Sequence, residues 1–352
     1  MRIEENKPLA PFTTLGIGGP ARWFVAAKNE EEIVEASTWA REKGIPLFVL
    51  GGGSNLLVSD TGFNGLVLHI GLKGISVRET AGSSHERVYQ VAAGEDWDQF
   101  VQRTVDDECA GLECLAGIPG TVGGTPVQNV GAYGQEVATT IDSVRAFDLR
   151  ETRFDTLSKK LCDFGYRRSL FNSQSGNWLV VTRVDFCLAP GGAPSLKYAD
   201  LQREFSLATT PTLKQVADTV RSIRQSKGML LVDGDPDCHS AGSFFKNPIV
   251  SEAHVERIAS TAASEPPRFP AGPDHSNMVK LSAAWLIEKA GFTKGYSFGH
   301  AGISRKHTLA LVNHGGATAA EILALAHKIR SAVVARFGIE LQMEPVMLGF
   351  DS

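Results

Sequence analysis

Two glycine clusters in this chain are placed to do chemistry with bare backbone. The first is Gly51, Gly52 and Gly53 in VLGGGSN, followed by Ser54 and Asn55. With no Cβ in the way, successive N–H groups can turn inward on an anion such as a phosphate. No GK[ST] follows, and SNLLVSD continues as an apolar run instead of opening a helix, so neither the P-loop nor the GxGxxG pattern applies. A tight turn between strands would use the same residues equally well. The second cluster, LAGIPGTVGGTPVQNVGAYG, covers 115–134 and mixes Gly, Pro, Thr and Asn with few charges. Leu115, Ile118, Val122, Val127 and Val130 punctuate it, which argues against a fully solvated loop. Such a segment suits main chain brought against a flat or phosphate-bearing ligand. Its glycines keep no fixed period, so it is no repeat.

Other reactive residues narrow the field by what they exclude. Lys and Arg total 35 against 39 Asp and Glu, a formal charge of −4, which gives no overall reason to bind nucleic acid or an anionic membrane. Cys109, Cys114, Cys162, Cys187 and Cys238 are odd in number and scattered, with no CxxC and no zinc spacing. Buried, reduced thiols and no metal are expected. No apolar run reaches the ~18 residues of a membrane span, and MRIEENKPLAPF lacks a signal-peptide core. A cytoplasmic protein, outside the membrane, is expected. The 352 residues, 43% hydrophobic and 21% charged, rule out wholesale disorder and suit two domains.

The elements that must position the clusters can be read from periodicity. Asn29 with Glu32 forms a capping-box signature for a helix with Ile33, Ala36, Ser37 and Ala40 on one face, stopped at Gly44. IPLFVL (45–50) is a short apolar strand running straight into the first glycine cluster. GLVLHI, ISVRET and RVYQVAAGE read as strands, and Asp96 caps a helix with Trp97, Phe100, Val101, Thr104 and Val105 on one face. SVRAFDL and WLVVTRVDFCL are further strands. Near 208 the polar connector LATTPT marks a change of character. Beyond it Thr212 and Gln215 cap a helix bearing Val216, Val220 and Ile223, and further helices follow Ser251 and Ser282. Thr318 with Glu321 caps a long helix to Phe337, with Ile322, Leu325, Ala326, Ile329 and Val333 as its stripe and Gly338 as its stop. A helix-rich module therefore spans 210–338, and GIELQMEPVMLG closes the chain as a strand.

TTLGIGGPARWFV, VLGGGSNLLVSD, GLECLAGIPGTVGGTPVQNVGAYG, YRRSLF, AGSFFKNP and the late Glu344 occur in that order. Together, over essentially the whole chain, they resemble the UDP-N-acetylenolpyruvoylglucosamine reductase family of peptidoglycan precursor synthesis. The first half is also similar to the wider vanillyl-alcohol-oxidase-like flavoproteins. The resemblance implies an α+β fold. An FAD-binding domain of two α+β subdomains would occupy 1–208, completed by the tail 339–352, and a substrate-binding domain would occupy 209–338. It implies non-covalent FAD, NADPH as co-substrate, a nucleotide-sugar enolpyruvyl ether as substrate, and a monomer. Rival readings are a flavin oxidase of the wider family, which AGSFFKNP disfavours, and a non-catalytic nucleotide-sugar binder.

The reaction so implied adds hydride to an alkene conjugated with a carboxylate, leaving charge delocalised into that carboxylate. In this family's pattern Arg167 is the catalytic guanidinium, a planar fork suited to a carboxylate, with Arg168 as its rival. Ser243 matches the proton donor. Glu344 matches the catalytic acid, and beside a substrate carboxylate it must hold its proton. Pro345 and Val346 stand where the family usually has Val-Arg. Gly51, Gly52, Gly53, Ser54 and Asn55 would meet the FAD diphosphate from one side. Gly117, Ile118, Pro119, Gly120, Thr121, Gly123 and Gly124 would meet it from the other. Tyr198, Lys227 and Asn247 are carried over as substrate-binding residues, and His307 stands where the family usually has Gln.

Overall fold

The strand that feeds the first glycine cluster fixes much of the architecture around it. In the computed structural model, which describes residues 1–79, 86–205, 210–271 and 277–350, it is the strand Leu47–Leu50, parallel to Phe63–Ile70. The two belong to a four-stranded sheet that also holds Glu4–Pro8 and Pro20–Ala27. A second, six-stranded sheet is antiparallel throughout and is built on the long strand Leu179–Pro190. Ile141–Asp148 and Arg87–Ala92 flank that strand, with Arg153–Ser158 and Ile75–Glu79 outside them.

The described chain divides into two units. The first comprises Met1–Lys7, Ala21–Gly52 and Asn64–Arg224, and the second Pro8–Pro20, Gly53–Phe63 and the chain from Gln225 onward. The first holds both large sheets and four helices: α1 (Glu30–Glu42), α2 (Trp97–Asp106), α3 (Ala199–Glu204) and α4 (Leu213–Ser226, inside this unit through Arg224). Asn29 Oδ1 accepts from Glu32 N at α1, but the Glu32 carboxylate reaches back to Lys28 N and not to the cap residue. Asp96 caps α2, whose expected face of Trp97, Phe100, Val101, Thr104 and Val105 is buried. Trp97, Phe100 and Phe186 cluster there with centroids 5.2–6.0 Å apart, tying α2 to the six-stranded sheet.

The second unit holds α5 (Glu252–Ala262), α6 (Ala283–Lys289) and α7 (Ala319–Phe337) with two short three-stranded sheets. The Thr318–Glu321 capping box is present, the predicted stripe of α7 is buried, and Gly338 ends the helix at φ +66°. Asp60 adds both carboxylate oxygens to the first N–H groups of α7.

This division differs from the expected one. The tail belongs to the second unit, because Val346–Leu348 pairs in parallel with Leu56–Val58 and because Ile339 and Leu341 are buried in that unit's core. α4 through Arg224 joins the first unit, where Leu213, Val216, Ala217 and Val220 enter the core. The expected boundary at 208/209 lies outside the described residues, as do the last two residues of the tail. The α+β class is as expected.

Candidate active site

Within the first unit the two glycine bends meet. A Cβ on Gly52 would stand 2.4 Å from Gly120 Cα, and one on Gly51 would stand 3.1 Å from Thr121 Oγ1. Only glycine at 52 lets the main chains approach this closely. The start of α2 holds the second bend: Trp97 N donates to Gly120 O (3.1 Å), and Thr121 bridges to Asp96. Val122–Gly124 forms one 3-10 turn, with Gly123 N on Ala93 O. Gly117 (φ +73°) opens the bend, leading through Ile118 and Pro119 to Gly120 (φ +126°). Thr121 Oγ1 is buried and has no hydrogen-bond partner among the described residues. A neutral hydroxyl and bare backbone are donors suited to a diphosphate, so this cradle fits the FAD that the sequence implies.

Three charged side chains that the sequence reading passed over brace that bend. Gly117 N donates to Asp98 Oδ1 (2.6 Å), Asp98 is held by Arg221 (2.8 Å), and Arg224 Nε donates to Gly117 O (3.0 Å). Arg224 is 8% exposed. Burial lowers its pKa, while Tyr133 and Asp98 push it up. The signal was in the spacing: Val216, Val220 and Arg224 are successive i+4 positions, so an arginine sits on the apolar stripe of α4.

Arg167 and Tyr198 also lie in the first unit. Gly165 and Arg168 pair through both backbone bonds, leaving Tyr166 and Arg167 at the tip of a tight turn with Arg167 at φ +53°. Arg167 is half-buried and its Nη1 donates to Gly131 O (3.2 Å). Arg168 points to solvent and pairs with Asp163 (2.7 Å), so the two arginines have separate surroundings. Gly131 opens a hairpin, Gly131–Ala132 against Gln135–Glu136, whose turn residues Tyr133 and Gly134 have φ +47° and +82°. Positive φ at both positions is the type I′ turn, which a tyrosine enters only under strain. The Tyr133 ring meets that of Tyr198 edge-on at 5.3 Å.

The second unit gathers Ser243 and Glu344. Glu344 N donates to Phe244 O (2.9 Å), Lys246 N to Gln342 O (2.9 Å), and Phe245 bridges Met343, so the two segments run antiparallel side by side. Phe244 and Phe245 are fully buried and anchor Ser243, which is half-buried after Gly242 at φ +71°. Asn55 clamps the other segment: its Nδ2 donates to Glu344 O (3.2 Å), and its carbonyl accepts from Val346 N (3.0 Å). Gly53 is forced to be glycine, since a Cβ would lie 1.8 Å from Phe12 O. Thr14 ties Ser54 O to Ser240 O. Asn247 spends its Oδ1 on Ala283 N at the start of α6 (2.9 Å).

His307 Nδ1 accepts from Leu309 N (3.0 Å), which fixes the proton of the neutral ring on Nε2. Burial first, and then the charges of Lys227 and Lys294, lower its pKa to about 4. Among the described residues no His, Cys, Asp and Glu group could hold a metal, and no helix is long and apolar enough to cross a membrane. All five cysteines are free.

Comparison with known proteins bears on both units. A family model described as UDP-N-acetylenolpyruvoylglucosamine reductase, C-terminal domain, matches 235–348, and an FAD binding domain model matches 21–153. The chain is 46% identical to the UDP-N-acetylenolpyruvoylglucosamine reductase of Thermobifida fusca, over 98% of this chain and 97% of that one. It is also 46% identical to that of Streptomyces coelicolor, over 98% and 90%. The crystal structure of the Thermus caldophilus reductase matches with a TM-score of 0.66 and 26% identity over 99% of each chain.

Proposed function

The chain belongs to the UDP-N-acetylenolpyruvoylglucosamine reductase family, and on that premise we propose that it reduces UDP-N-acetylglucosamine enolpyruvate to UDP-N-acetylmuramate with NADPH as co-substrate. It is an FAD-dependent oxidoreductase of peptidoglycan precursor synthesis. Bound FAD supplies the hydride chemistry, which no side chain of this protein can provide. Gly51 and Gly52 with Gly117, Ile118, Pro119, Gly120, Thr121, Gly123 and Gly124 hold its diphosphate. The family pattern adds Gly53, Ser54 and Asn55.

The remaining work falls to the chain's own groups. Arg167 receives the substrate carboxylate in its guanidinium fork and stabilises charge that develops there. Glu344 holds a proton and donates a hydrogen bond to the same charge. Ser243 Oγ gives its proton to the carbon next to the carboxylate, completing the lactyl ether, and solvent returns that proton. Tyr198, Lys227, the amide of Asn247 and Nε2 of His307 hold the nucleotide sugar. The protein acts in the cytoplasm as a monomer, without nucleic-acid or membrane partners, with 21–153 serving FAD and 235–348 serving substrate together with Arg167 and Tyr198.

The observation that supports this most is the pairing of Phe244 with Glu344. It brings together the two segments that carry the proposed proton donor and the proposed acid, which are far apart in sequence. Anaerobic spectra test the reading. NADPH should bleach the yellow protein, and the enolpyruvyl nucleotide should restore its colour. Ser243→Ala should bleach normally and fail to recover. Recovery at the parent rate would remove Ser243 from the chemistry.

A further inference from the structure

We infer that Glu113, buried in GLECLAG, is a positioning residue for recognition of the nucleotide sugar. The inference rests on the proposed roles of Tyr198 and Arg167. Glu113 is 1% exposed, yet its carboxylate accepts three hydrogen bonds from three separate segments. Oε2 takes Gly111 N (2.8 Å), and Oε1 takes Gln135 Nε2 (2.7 Å) and Ser195 N (2.8 Å). Two more bonds close the assembly: Gln135 Oε1 accepts from Cys114 N (2.8 Å), and Cys114 Sγ donates to Ser195 O (3.3 Å).

The segments so tied are the ones that carry proposed substrate contacts. Gln135 stands two residues after Tyr133 in the strained hairpin, and Ser195 three residues before Tyr198. At the other end of both segments Tyr133 and Tyr198 touch ring to ring, and the Cβ position of Gly134 lies 3.3 Å from Lys197 Cβ. The hairpin's Gly131 carbonyl holds Arg167. One carboxylate therefore sets the separation of the aromatic pair and the seat of the guanidinium. An ionised carboxylate offers acceptors only, as three converging N–H donors require. A glutamine cannot replace it, because its NH2 would face either Gly111 N or the other two donors.

The test compares Glu113→Gln, which keeps the shape, with Ser195→Pro, which removes the loop's N–H and also fixes the backbone φ there. The readouts are UDP affinity by calorimetry, KM for the enolpyruvyl nucleotide, FAD content and the rate of flavin reduction by NADPH. Losing a hydrogen bond to a charged acceptor predicts UDP affinity weaker, and KM higher, by about tenfold to hundredfold in each variant. FAD content and flavin reduction should hold. Glu113→Gln with Gln135→Glu restores a bond between the two side chains, and should recover part of the loss. An active parent with both variants unchanged in KM and UDP affinity overturns the inference. So does a loss of FAD content that matches the loss of UDP affinity, which would make Glu113 a general structural support. A parent that bleaches with NADPH but ignores the enolpyruvyl nucleotide overturns instead the functional reading on which the inference rests.

Discussion

Replacing Gly52 by alanine should separate the two bends that form the proposed diphosphate cradle. The added Cβ would lie 2.4, 2.8 and 2.9 Å from Gly120 Cα, Gly120 C and Thr121 N, all backbone atoms that no rotamer change can move. Restoring ordinary carbon contact requires the bends to part by at least about 1 Å. Overpacking of this kind costs about 1–3 kcal/mol. If it falls on the bound state, the FAD dissociation constant rises by about 5- to 150-fold. Gly52 has no positive φ, so the effect is steric and not a backbone preference. Gly124 is the folding control: no atom lies within 4 Å of its Cβ position, and Gly124→Ala should leave apoprotein melting unchanged. The assay is titration of apoprotein with FAD, followed by flavin fluorescence, beside apoprotein melting. Gly52→Ala binding FAD within twofold of the parent would refute the account of the cradle.

Two more outcomes follow from local surroundings. Arg168 and Asp163 are both more than half exposed, so their pair contributes ~1 kcal/mol or less, and Arg168→Ala should leave kcat/KM within about twofold. Arg167→Ala should cut kcat/KM by at least about a hundredfold if its fork receives the charge, and equal effects at the two positions would remove the distinction. His307 has a folded pKa of about 4, below its ordinary value of 6.5, so folding favours the neutral ring. Its contribution is present above about pH 6.5 and is lost as pH falls toward 4, to the extent of about 3 kcal/mol at most. Denaturant melts from pH 7 to 4 should show a shallower loss in His307→Gln than in the parent, and identical slopes would contradict the burial argument.

Much of this fold was legible because its helices are locally self-consistent. The α7 capping box, apolar stripe and terminal glycine agree with one another, and the structure reproduces all three. The α2 face was equally plain. What escaped depended on partners distant in the chain. The tail was expected to complete the first domain, and three residues of it do pair with Leu56–Val58 inside 1–208; what escaped is that 53–63 leaves that domain and joins the second unit with the tail, a register that no local pattern specifies. Arg224 escaped because a charge on an apolar face reads as an error until its acceptor, the Gly117 carbonyl, is known. Glu113 escaped because its three donors are backbone or amide N–H groups with no sequence signature.

The glycines of the first cluster show why composition pointed to the site without describing it. Three adjacent glycines suggest one shared purpose, yet each answers a different constraint. Gly51 and Gly52 make room for the second bend, Gly52 against backbone and Gly51 against the Thr121 hydroxyl, whereas Gly53 makes room for the Phe12 carbonyl at φ +61°. Gly53 is therefore glycine for the fold of the second unit, whatever is bound. Its neighbour Asn55 likewise spends side chain and carbonyl on the segment of Glu344 and Val346. Alanine at 53 should thus lower apoprotein stability outright, while alanine at 51, which meets only a hydroxyl at 3.1 Å, should spare folding and weaken FAD binding alone. Melting and FAD titration of the two variants separate these costs. A Gly53→Ala protein that melts like its parent would mean that the cluster serves the ligand throughout.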